Sequence, residues 1–214
     1  MDLPETGLAT AVARAAHWDR RYSKAGAQGV SWYQAEPRVS LELIERSQVP
    51  AGAGAIDVGG GASVLVDRLV ERGFSDLTVL DVSEVALREA RERLGATAPV
   101  TWLQQDVLEF TPSRRFDLWH DRAVFHFLAD PTDRDRYGEV LRSAVAPGGL
   151  VLIATFAEDG PEKCSGLPVV RYSADALARA LGDGFAVTDT RREEHVTPGG
   201  VVQPFTWLAA RRLG

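Results

Sequence analysis

The alternation of strand-like and helix-like segments from about residue 54 constrains the fold of this chain more than any other feature of its sequence. An apolar run at residues 54–59 precedes a segment with helical spacing at 63–73, and the same pair recurs at 76–82 and 83–95. Strands that alternate with helices of this length form a parallel sheet joined by crossover helices. The sequence therefore predicts an α/β fold.

The second half of the chain continues this pattern and then departs from it. Three further strand-like runs occupy residues 99–107, 116–122 and 149–156. The last two runs, at 185–196 and 201–212, are separated by only four residues, and so short a link cannot make a parallel crossover. We expect these two strands to pair antiparallel.

Length and composition limit the number of domains and the range of partners. A chain of 214 residues that is 45% hydrophobic can bury one sizeable core. We therefore expect a single domain over residues 1–214, with a helical cap segment at 1–47 and a core at 50–214. Lys and Arg total 24 against 30 Asp and Glu, and the net charge of −6 disfavours nucleic acid and anionic membranes as partners.

The cysteine count and the apolar runs bear on compartment and metal binding. Cys164 is the only cysteine in the sequence, so no internal disulfide can form and a metal site with several cysteines is excluded. No apolar run approaches the roughly 20 residues that span a bilayer, and the opening MDLPETG lacks a leader pattern. These features predict a cytoplasmic protein with no metal site, and they leave its oligomeric state open.

Three consecutive glycines follow the first predicted strand. Asp57 lies in that strand, and Gly59, Gly60 and Gly61 occupy the turn into the next helix. In open α/β sheets, ligands bind beyond the carboxyl ends of the strands, where the first strand turns into its helix. Glycines there let a ligand approach the backbone, and the helix N-terminus offers unpaired N–H groups. The pattern predicts a ligand-binding turn that could accept a phosphate or a carboxylate.

Two further acids stand at predicted strand ends. Asp81 follows Gly59 by 22 residues, the spacing at which a carboxylate can accept both hydroxyls of a bound ribose. Asp106 ends the third strand and could accept a hydrogen bond from an exocyclic amine such as that of adenine. With no basic residue in this line of acceptors, a nucleoside with a cationic, amino-acid-bearing tail suits the site better than a phosphorylated ligand.

At these residues the sequence resembles the class I S-adenosylmethionine-dependent methyltransferases, over roughly residues 50–211. The resemblance implies a Rossmann-like, seven-stranded, mostly parallel sheet with an antiparallel last strand and helices on both faces. It also implies S-adenosylmethionine as cofactor: the loop like "DVGGGAS" would hold the methionine part, the acid like Asp81 the ribose, and the pair like Asp106-Val107 the adenine. Gly60 stands where relatives often have cysteine or another small residue, which should not impair binding. The implied cofactor-binding residues are Asp57, Gly59, Gly60, Gly61, Asp81, Val82, Asp106, Val107 and Asp121.

The resemblance further places the end of the fourth strand beside the transferable methyl group. Asp121 and His126 then become candidate catalytic groups, since either could take a proton from the acceptor. Arg122 becomes a candidate substrate contact. Structural alternatives stay open for both catalytic candidates: Asp121 could cap the turn that follows it, and His126, within an apolar run, could be a buried core residue.

Segments outside the core are expected to select the acceptor. The N-terminal region carries pairs of aromatic residues, among which Trp32 and Tyr33 could face a sulfonium, and Tyr33 is a candidate substrate contact. A long link at 157–172 could act as a lid or substrate wall. It contains Cys164, also a candidate substrate contact, although lone cysteines are mostly inert packing residues.

Three functions are compatible with these residues. The first is a methyltransferase that acts on a small molecule or, alternatively, on a protein lysine; in-line attack on an activated methyl needs alignment and water exclusion rather than covalent catalysis. The second is an NAD(P)-dependent oxidoreductase, disfavoured because Val64 replaces the third glycine of the dinucleotide fingerprint. The third is a non-catalytic protein that binds a nucleoside.

Substitution of Asp81 tests the predicted ribose contact. Asp81→Ala should lower the affinity for S-adenosylmethionine by about 1.5–3 kcal/mol, because two charge-assisted hydrogen bonds are lost. Isothermal titration calorimetry measures this change, and an unchanged affinity would contradict the assignment.

Overall fold

The computed structural model describes residues 10–214 of the chain. Residues 1–9, where the predicted cap segment begins, lie outside the described part. The helices are α1 (Ala11–Gly29), α2 (Arg38–Arg46), α3 (Leu65–Glu71), α4 (Glu84–Leu94), α5 (Pro131–Ala144) and α6 (Ala174–Leu181). The strands are β1 (Ala55–Val58), β2 (Leu77–Asp81), β3 (Val100–Gln104), β4 (Phe116–Arg122), β5 (Val145–Phe156), β6 (Lys163–Cys164), β7 (Leu167–Pro168), β8 (Phe185–Val196) and β9 (Val202–Arg212).

Within residues 10–214, one sheet contains seven strands in the order β3-β2-β1-β4-β5-β9-β8. The neighbours from β3 to β5 are parallel, whereas β9 is antiparallel to both β5 and β8. The carboxyl ends of β1, β2, β3 and β4 therefore meet at one edge of the sheet. The predicted α/β fold and the predicted antiparallel pairing of the last two strands are confirmed.

The sheet is buried on both faces. All residues of β1 and β2 are buried. On one face Ile56 and Trp119 pack in a cluster with side chains of α5 and α6, and on the other Leu77 and Leu118 pack with side chains of α2 and α3. Strands that are buried along their whole length need helices on both sides of the sheet. The layered arrangement predicted for the core is therefore the observed one.

Side-chain caps fix where helices begin and also tie the cap segment to the core. Ser83 precedes α4, and its Oγ accepts a hydrogen bond from the Ala86 N–H at 3.2 Å. The same hydroxyl donates to Asp19 Oδ1 of α1 at 2.7 Å. Near the other end of α1, Glu89 of α4 accepts a hydrogen bond from the Ala27 N–H at 3.0 Å. α1 is thus held against α4 at two points.

α2 follows Pro37 and buries an apolar face against the sheet. The strand after α5 differs from its predicted start. β5 begins at Val145 rather than at residue 149, because Val145 pairs with Phe116 across an irregularity in the β4–β5 register. Gly148, with φ of +76°, lets the chain bulge at the Pro-Gly-Gly break while remaining in the strand. Across the described residues, none of the helices has the length and apolar character needed to cross a bilayer.

Removal of the Ser83 hydroxyl should weaken both the α4 cap and the contact with α1. Ser83→Ala is expected to lower the free energy of unfolding by about 1–2 kcal/mol, measured by urea denaturation. Ser143→Ala is the matched control, since it removes a hydroxyl bonded to the Val140 carbonyl within α5. Equal losses in the two variants would contradict the account.

Candidate functional site

A deep cavity lies at the carboxyl ends of the parallel strands, against α1. It encloses about 920 Å³, including the open solvent at its mouth. The strand ends and the turns after them form one side, and α1, Trp32, β6 and β9 contribute the others. The sequence predicted a ligand site at this position. Among the cofactor-binding residues implied by the resemblance, those that line it are Gly59, Asp81, Val82, Asp106 and Val107.

The glycine turn leaves space that neighbouring carboxylates occupy. A Cβ at Gly60 would lie 2.5 Å from Asp57 Oδ2, and a Cβ at Gly61 would lie 2.8 Å from Asp81 Oδ2. Gly59 and Gly61 also adopt φ values of +66° and +45°, which side chains disfavour. The glycines therefore allow the carboxylates to pack directly against the turn. This packing requirement adds to the role expected from the sequence, which was to let a ligand approach the backbone closely.

Asp81 lines the cavity with 8% of its surface exposed. Its Oδ1 accepts a hydrogen bond from the Ser83 N–H at 2.8 Å. Burial, helped by the nearby Asp57 and Asp19 carboxylates, raises the pKa of Asp81 to about 7. Because burial leaves the ionised Asp81 carboxylate with little contact with water, hydroxyl groups of a ligand that donate hydrogen bonds to it would stabilise it.

Asp106 also faces the cavity, but it is paired. Its Oδ1 accepts a hydrogen bond from the Leu108 N–H at 2.9 Å, and its Oδ2 forms an ion pair with Arg14 of α1. The expectation that no basic residue lies among the acceptors is therefore wrong. Arg14 is 92 positions away in the chain and reaches the site because α1 packs over the strand ends.

A second cavity of about 530 Å³ shares a wall with the first. Asp57 lines it, with Oδ1 lying 2.7 Å from His120 Nδ1. Asp57 Oδ2 is buried and finds no hydrogen-bond partner among residues 10–214. A ligand that extended from the first cavity into the second would therefore lie beside Asp57, whose Oδ2 has no partner among the described residues. The residues that line both cavities are Tyr22, Trp32, Gly59 and Arg122.

Arg122 lies between the two cavities with 10% of its side chain exposed. Its Nη1 donates to the Trp32 carbonyl at 3.1 Å, and its guanidinium lies 4.4 Å from the centre of the Phe205 ring. Glu193 Oε2 lies 3.8 Å from Nε. In the described part of the chain, Nε and Nη2 make no hydrogen bond. Arg122, a predicted substrate contact, could thus donate to a ligand in either cavity.

Asp121 supports the turn after β4 and lines neither cavity. The fully buried carboxylate accepts hydrogen bonds from the Val124 N–H at 2.8 Å and from the Tyr137 hydroxyl at 2.7 Å. Burial raises the pKa of Asp121 to about 6. Within this turn Ala123 adopts a φ of +74°, which L-residues disfavour. The geometry supports the prediction that Asp121 caps this turn. It gives no support to the predictions that Asp121 is catalytic or contacts the cofactor.

His126 lines neither cavity. It is fully buried and packs against Phe127 and Phe156, whose N–H lies 3.4 Å from His126 Nδ1. Burial, with the charge of Arg122 nearby, lowers the pKa of His126 to about 3. The ring is therefore neutral near pH 7 and a weak base. The geometry supports a core residue rather than the catalytic group predicted from the sequence.

Cys164 and Tyr33 line different cavities. Cys164, in β6, lines the larger one together with Gln203 and Phe205. Burial raises the pKa of the Cys164 thiol to about 11, so the thiol is neutral near pH 7. Tyr33 lines the second cavity. The link at 157–172 contributes a wall through the β6–β7 hairpin, as the sequence suggested.

Several cavity residues were not identified from the sequence. Arg14 and Ser40 come from the cap helices and Gln203 from β9, all remote from the strand-end pattern. His120 was not identified either, because the sequence pattern does not give the order of the strands, and β4, which holds His120, lies beside β1, which holds Asp57. The two residues are direct partners in the β1–β4 register.

Comparison with known proteins gives relatives for the core. Residues 56–151 match the family described as "Methyltransferase domain". Nodulation protein S of Rhizobium tropici is 30% identical over 118 residues, which cover 55% of this chain and 48% of that protein. Malonyl-[acyl-carrier protein] O-methyltransferase 2 of Ilyobacter polytropus is 22% identical over 105 residues, which cover 49% and 39%. The match thus spans less than half the length of these two relatives.

A solved structure extends the likeness over the whole chain. The Burkholderia thailandensis 1,6-didemethyltoxoflavin-N1-methyltransferase, with bound 1,6-didemethyltoxoflavin and S-adenosylhomocysteine, has a TM-score of 0.70 at 21% identity. The alignment covers 100% of this chain and 94% of that one. At this identity the likeness shows a shared fold.

The sheet order, the terminal hairpin and the cavity at the strand ends define the class I Rossmann-like fold of S-adenosylmethionine-dependent methyltransferases. Residues 56–151, which run from β1 into β5, match the methyltransferase domain family. The resemblance drawn from the sequence is confirmed.

Loss of the Asp121 carboxylate should destabilise the protein. Asp121→Ala leaves the buried N–H groups of the turn without their acceptor, so the free energy of unfolding should fall by about 2–3 kcal/mol in urea denaturation. Asp135→Ala, an exposed acid of α5, is the control and should have little effect. Unchanged stability of Asp121→Ala would show that the carboxylate does not support the turn.

Proposed function

We propose that this protein is a methyltransferase that uses S-adenosylmethionine to methylate a small molecule. The observation that carries the proposal is the convergence of Asp81, Asp106 and the glycine turn on one buried cavity that adjoins a second, polar one. S-adenosylmethionine, when bound, supplies an activated methyl group. The two cavities together offer groups that match each part of this donor.

The strand-end side of the larger cavity suits an adenosine. Asp81 would accept the two ribose hydroxyls, which supply the stabilisation that its buried carboxylate lacks. Val82 and Val107 offer apolar contacts to a flat base. Asp106, held by the Leu108 N–H, would accept a hydrogen bond from the adenine amine.

The second cavity suits the amino-acid tail. Such a tail carries an ammonium and a carboxylate, and the cavity offers an Asp57 oxygen and two Arg122 nitrogens that make no hydrogen bond within the described residues. Opposite charges at two places orient a zwitterion. Tyr22 and Trp32 line both cavities, and their aromatic rings can stabilise a cation held between them.

The rest of the larger cavity is mostly aromatic and suits the acceptor. Enclosure by α1 and the β6–β7 hairpin favours a small molecule with a flat, apolar body over the side chain of a folded protein. The solved toxoflavin enzyme likewise holds a small molecule, 1,6-didemethyltoxoflavin. A protein lysine is the second candidate acceptor. The lining residues on this side are Trp18, Phe127, Phe156, Cys164 and Phe205.

The residues of the cavity act by alignment. Walls of this kind exclude water and hold two reactants in line, which can supply roughly 7–11 kcal/mol of the barrier. His126 and Asp121 do not line the cavity, and the Cys164 thiol is neutral near pH 7. Among the predicted site residues of β4 and the turn after it, Arg122 is the polar one that lines the cavity and can orient a bound substrate.

Calorimetry separates the methyltransferase from an oxidoreductase. The protein should bind S-adenosylmethionine and S-adenosylhomocysteine and should not bind NAD. Turnover of a panel of thiols, amines and acids, beside a protein extract, then identifies the acceptor class: methylated small molecules support the proposal, and labelled protein alone supports the lysine alternative. Donor binding with no product would favour a non-catalytic nucleoside-binding protein.

Donor binding should depend on pH through Asp81. The ionised carboxylate accepts two hydroxyls, whereas the protonated group loses acceptor strength, so affinity should fall as pH drops through about 7, the pKa of this group. If the charged form alone binds, the dissociation constant for S-adenosylhomocysteine should rise about tenfold from pH 8 to pH 6. Asp81→Asn should bind weakly with a flat profile. A wild-type profile that matches that of Asp81→Asn would contradict the ribose contact.

Two sequence expectations stay predictions. These are the single domain over residues 1–214 and the cytoplasmic location. Limited proteolysis of the purified chain tests the first, and fractionation of the source cell tests the second.

A further inference from the structure

Three buried polar side chains form a continuous hydrogen-bonded series beside the second cavity. Ser40 Oγ of α2 lies 3.0 Å from His120 Nε2 of β4, and His120 Nδ1 lies 2.7 Å from Asp57 Oδ1 of β1. Their exposed fractions are 1%, 4% and 7%. All three line the second cavity. We call this series the Ser40–His120–Asp57 relay.

The relay determines which way the Asp57 carboxylate faces. Asp57 and His120 are partners in adjacent parallel strands, so their side chains meet without a long reach. Because His120 holds Oδ1, the other oxygen is turned towards Gly60, where a Cβ would lie 2.5 Å from it. This gives a physical reason for a glycine at position 60. Among residues 10–214, this arrangement leaves Oδ2 buried and without a hydrogen-bond partner.

Ser40 holds the other side of the imidazole. In the neutral tautomer with a proton on Nδ1, His120 donates to Asp57 and accepts from the Ser40 hydroxyl. Both ring nitrogens are then satisfied, which restrains rotation of the ring. Since Ser40 belongs to α2, the cap segment takes part in holding an acid of the core.

We propose that His120 is a positioning residue for the donor. Held by Ser40, it orients Asp57 so that Oδ2 receives the ammonium of the donor's amino-acid tail. This proposal rests on the proposed function, since it assigns the tail to the second cavity. His120 acts through Asp57 and need not touch the donor itself.

Two ligands that differ in the tail test the proposal. S-adenosylhomocysteine carries the amino-acid part, whereas 5′-methylthioadenosine has the same adenosine and thioether without it. His120→Leu should weaken S-adenosylhomocysteine about 10- to 100-fold and leave 5′-methylthioadenosine unchanged, because a charge-assisted contact to the tail is lost. His120→Asn, whose amide can still donate to Asp57, should recover much of the affinity. His126→Leu removes a buried histidine outside both cavities and should change neither constant.

The ratio of the two dissociation constants separates positioning from general structural damage. Equal weakening of both ligands by His120→Leu, or no change in either, would overturn the proposal. If His120→Leu does not fold, Ser40→Ala carries the test and should shift the same ratio in the same direction by a smaller factor. Labelling of Ser40 by a fluorophosphonate would make the relay a nucleophilic centre and would also overturn the proposal. Failure of the wild-type protein to bind either ligand would instead reject the proposed function.

Discussion

Burial of carboxylates at one edge of the sheet is the constraint on which the rest of this structure depends. Each carboxylate is less than a tenth exposed, and each has a different compensating partner: the His120 ring, the Ser83 N–H or the Arg14 guanidinium. The compensation is incomplete, because one oxygen of Asp57 has no hydrogen-bond partner in the described part of the chain and burial raises the pKa of Asp81 to about 7. A ligand that brings hydroxyls and an ammonium would supply what is missing. The carboxylates are Asp57, Asp81 and Asp106.

The glycine turn follows from the same constraint. Side chains at Gly60 and Gly61 would collide with the oxygens of Asp57 and Asp81, so the acids and the glycines require each other. The turn thus serves packing within the protein as well as ligand approach. Substitution there would disturb the carboxylates before it affected any ligand contact.

The sheet and the strand-end acids could be predicted because both follow from local pattern. Alternating segments determine the layer order, and an acid at the end of a parallel strand reaches the ligand edge wherever its strand lies. Arg14 and Gln203 could not be predicted, since their approach depends on how α1 and β9 pack. The sequence implied that Asp121 and Arg122 both lie at the ligand site, but side chains alternate along a strand, so the two point to opposite faces of the sheet, and of these two only Arg122 lines the cavities. His126, in the turn that follows Asp121, is buried in the same way.

The cap segment completes a site that the core alone leaves open. α1 contributes Arg14, Trp18 and Tyr22 to the larger cavity, and α2 contributes Ser40 to the second. Ser83 and Glu89 fix α1 to α4, so the wall over the strand ends is a packed part of the protein. We therefore expect the acceptor to be selected where this helix, the β6–β7 hairpin and β9 line the larger cavity.

The most direct measurement is a crystal structure of the protein grown with S-adenosylhomocysteine. The account predicts ribose hydroxyls within hydrogen-bond distance of Asp81, adenine beside Val107, and the amino-acid tail in the second cavity between Asp57 and Arg122. A ligand bound elsewhere, or a crevice that stays empty at saturating concentration, would contradict it.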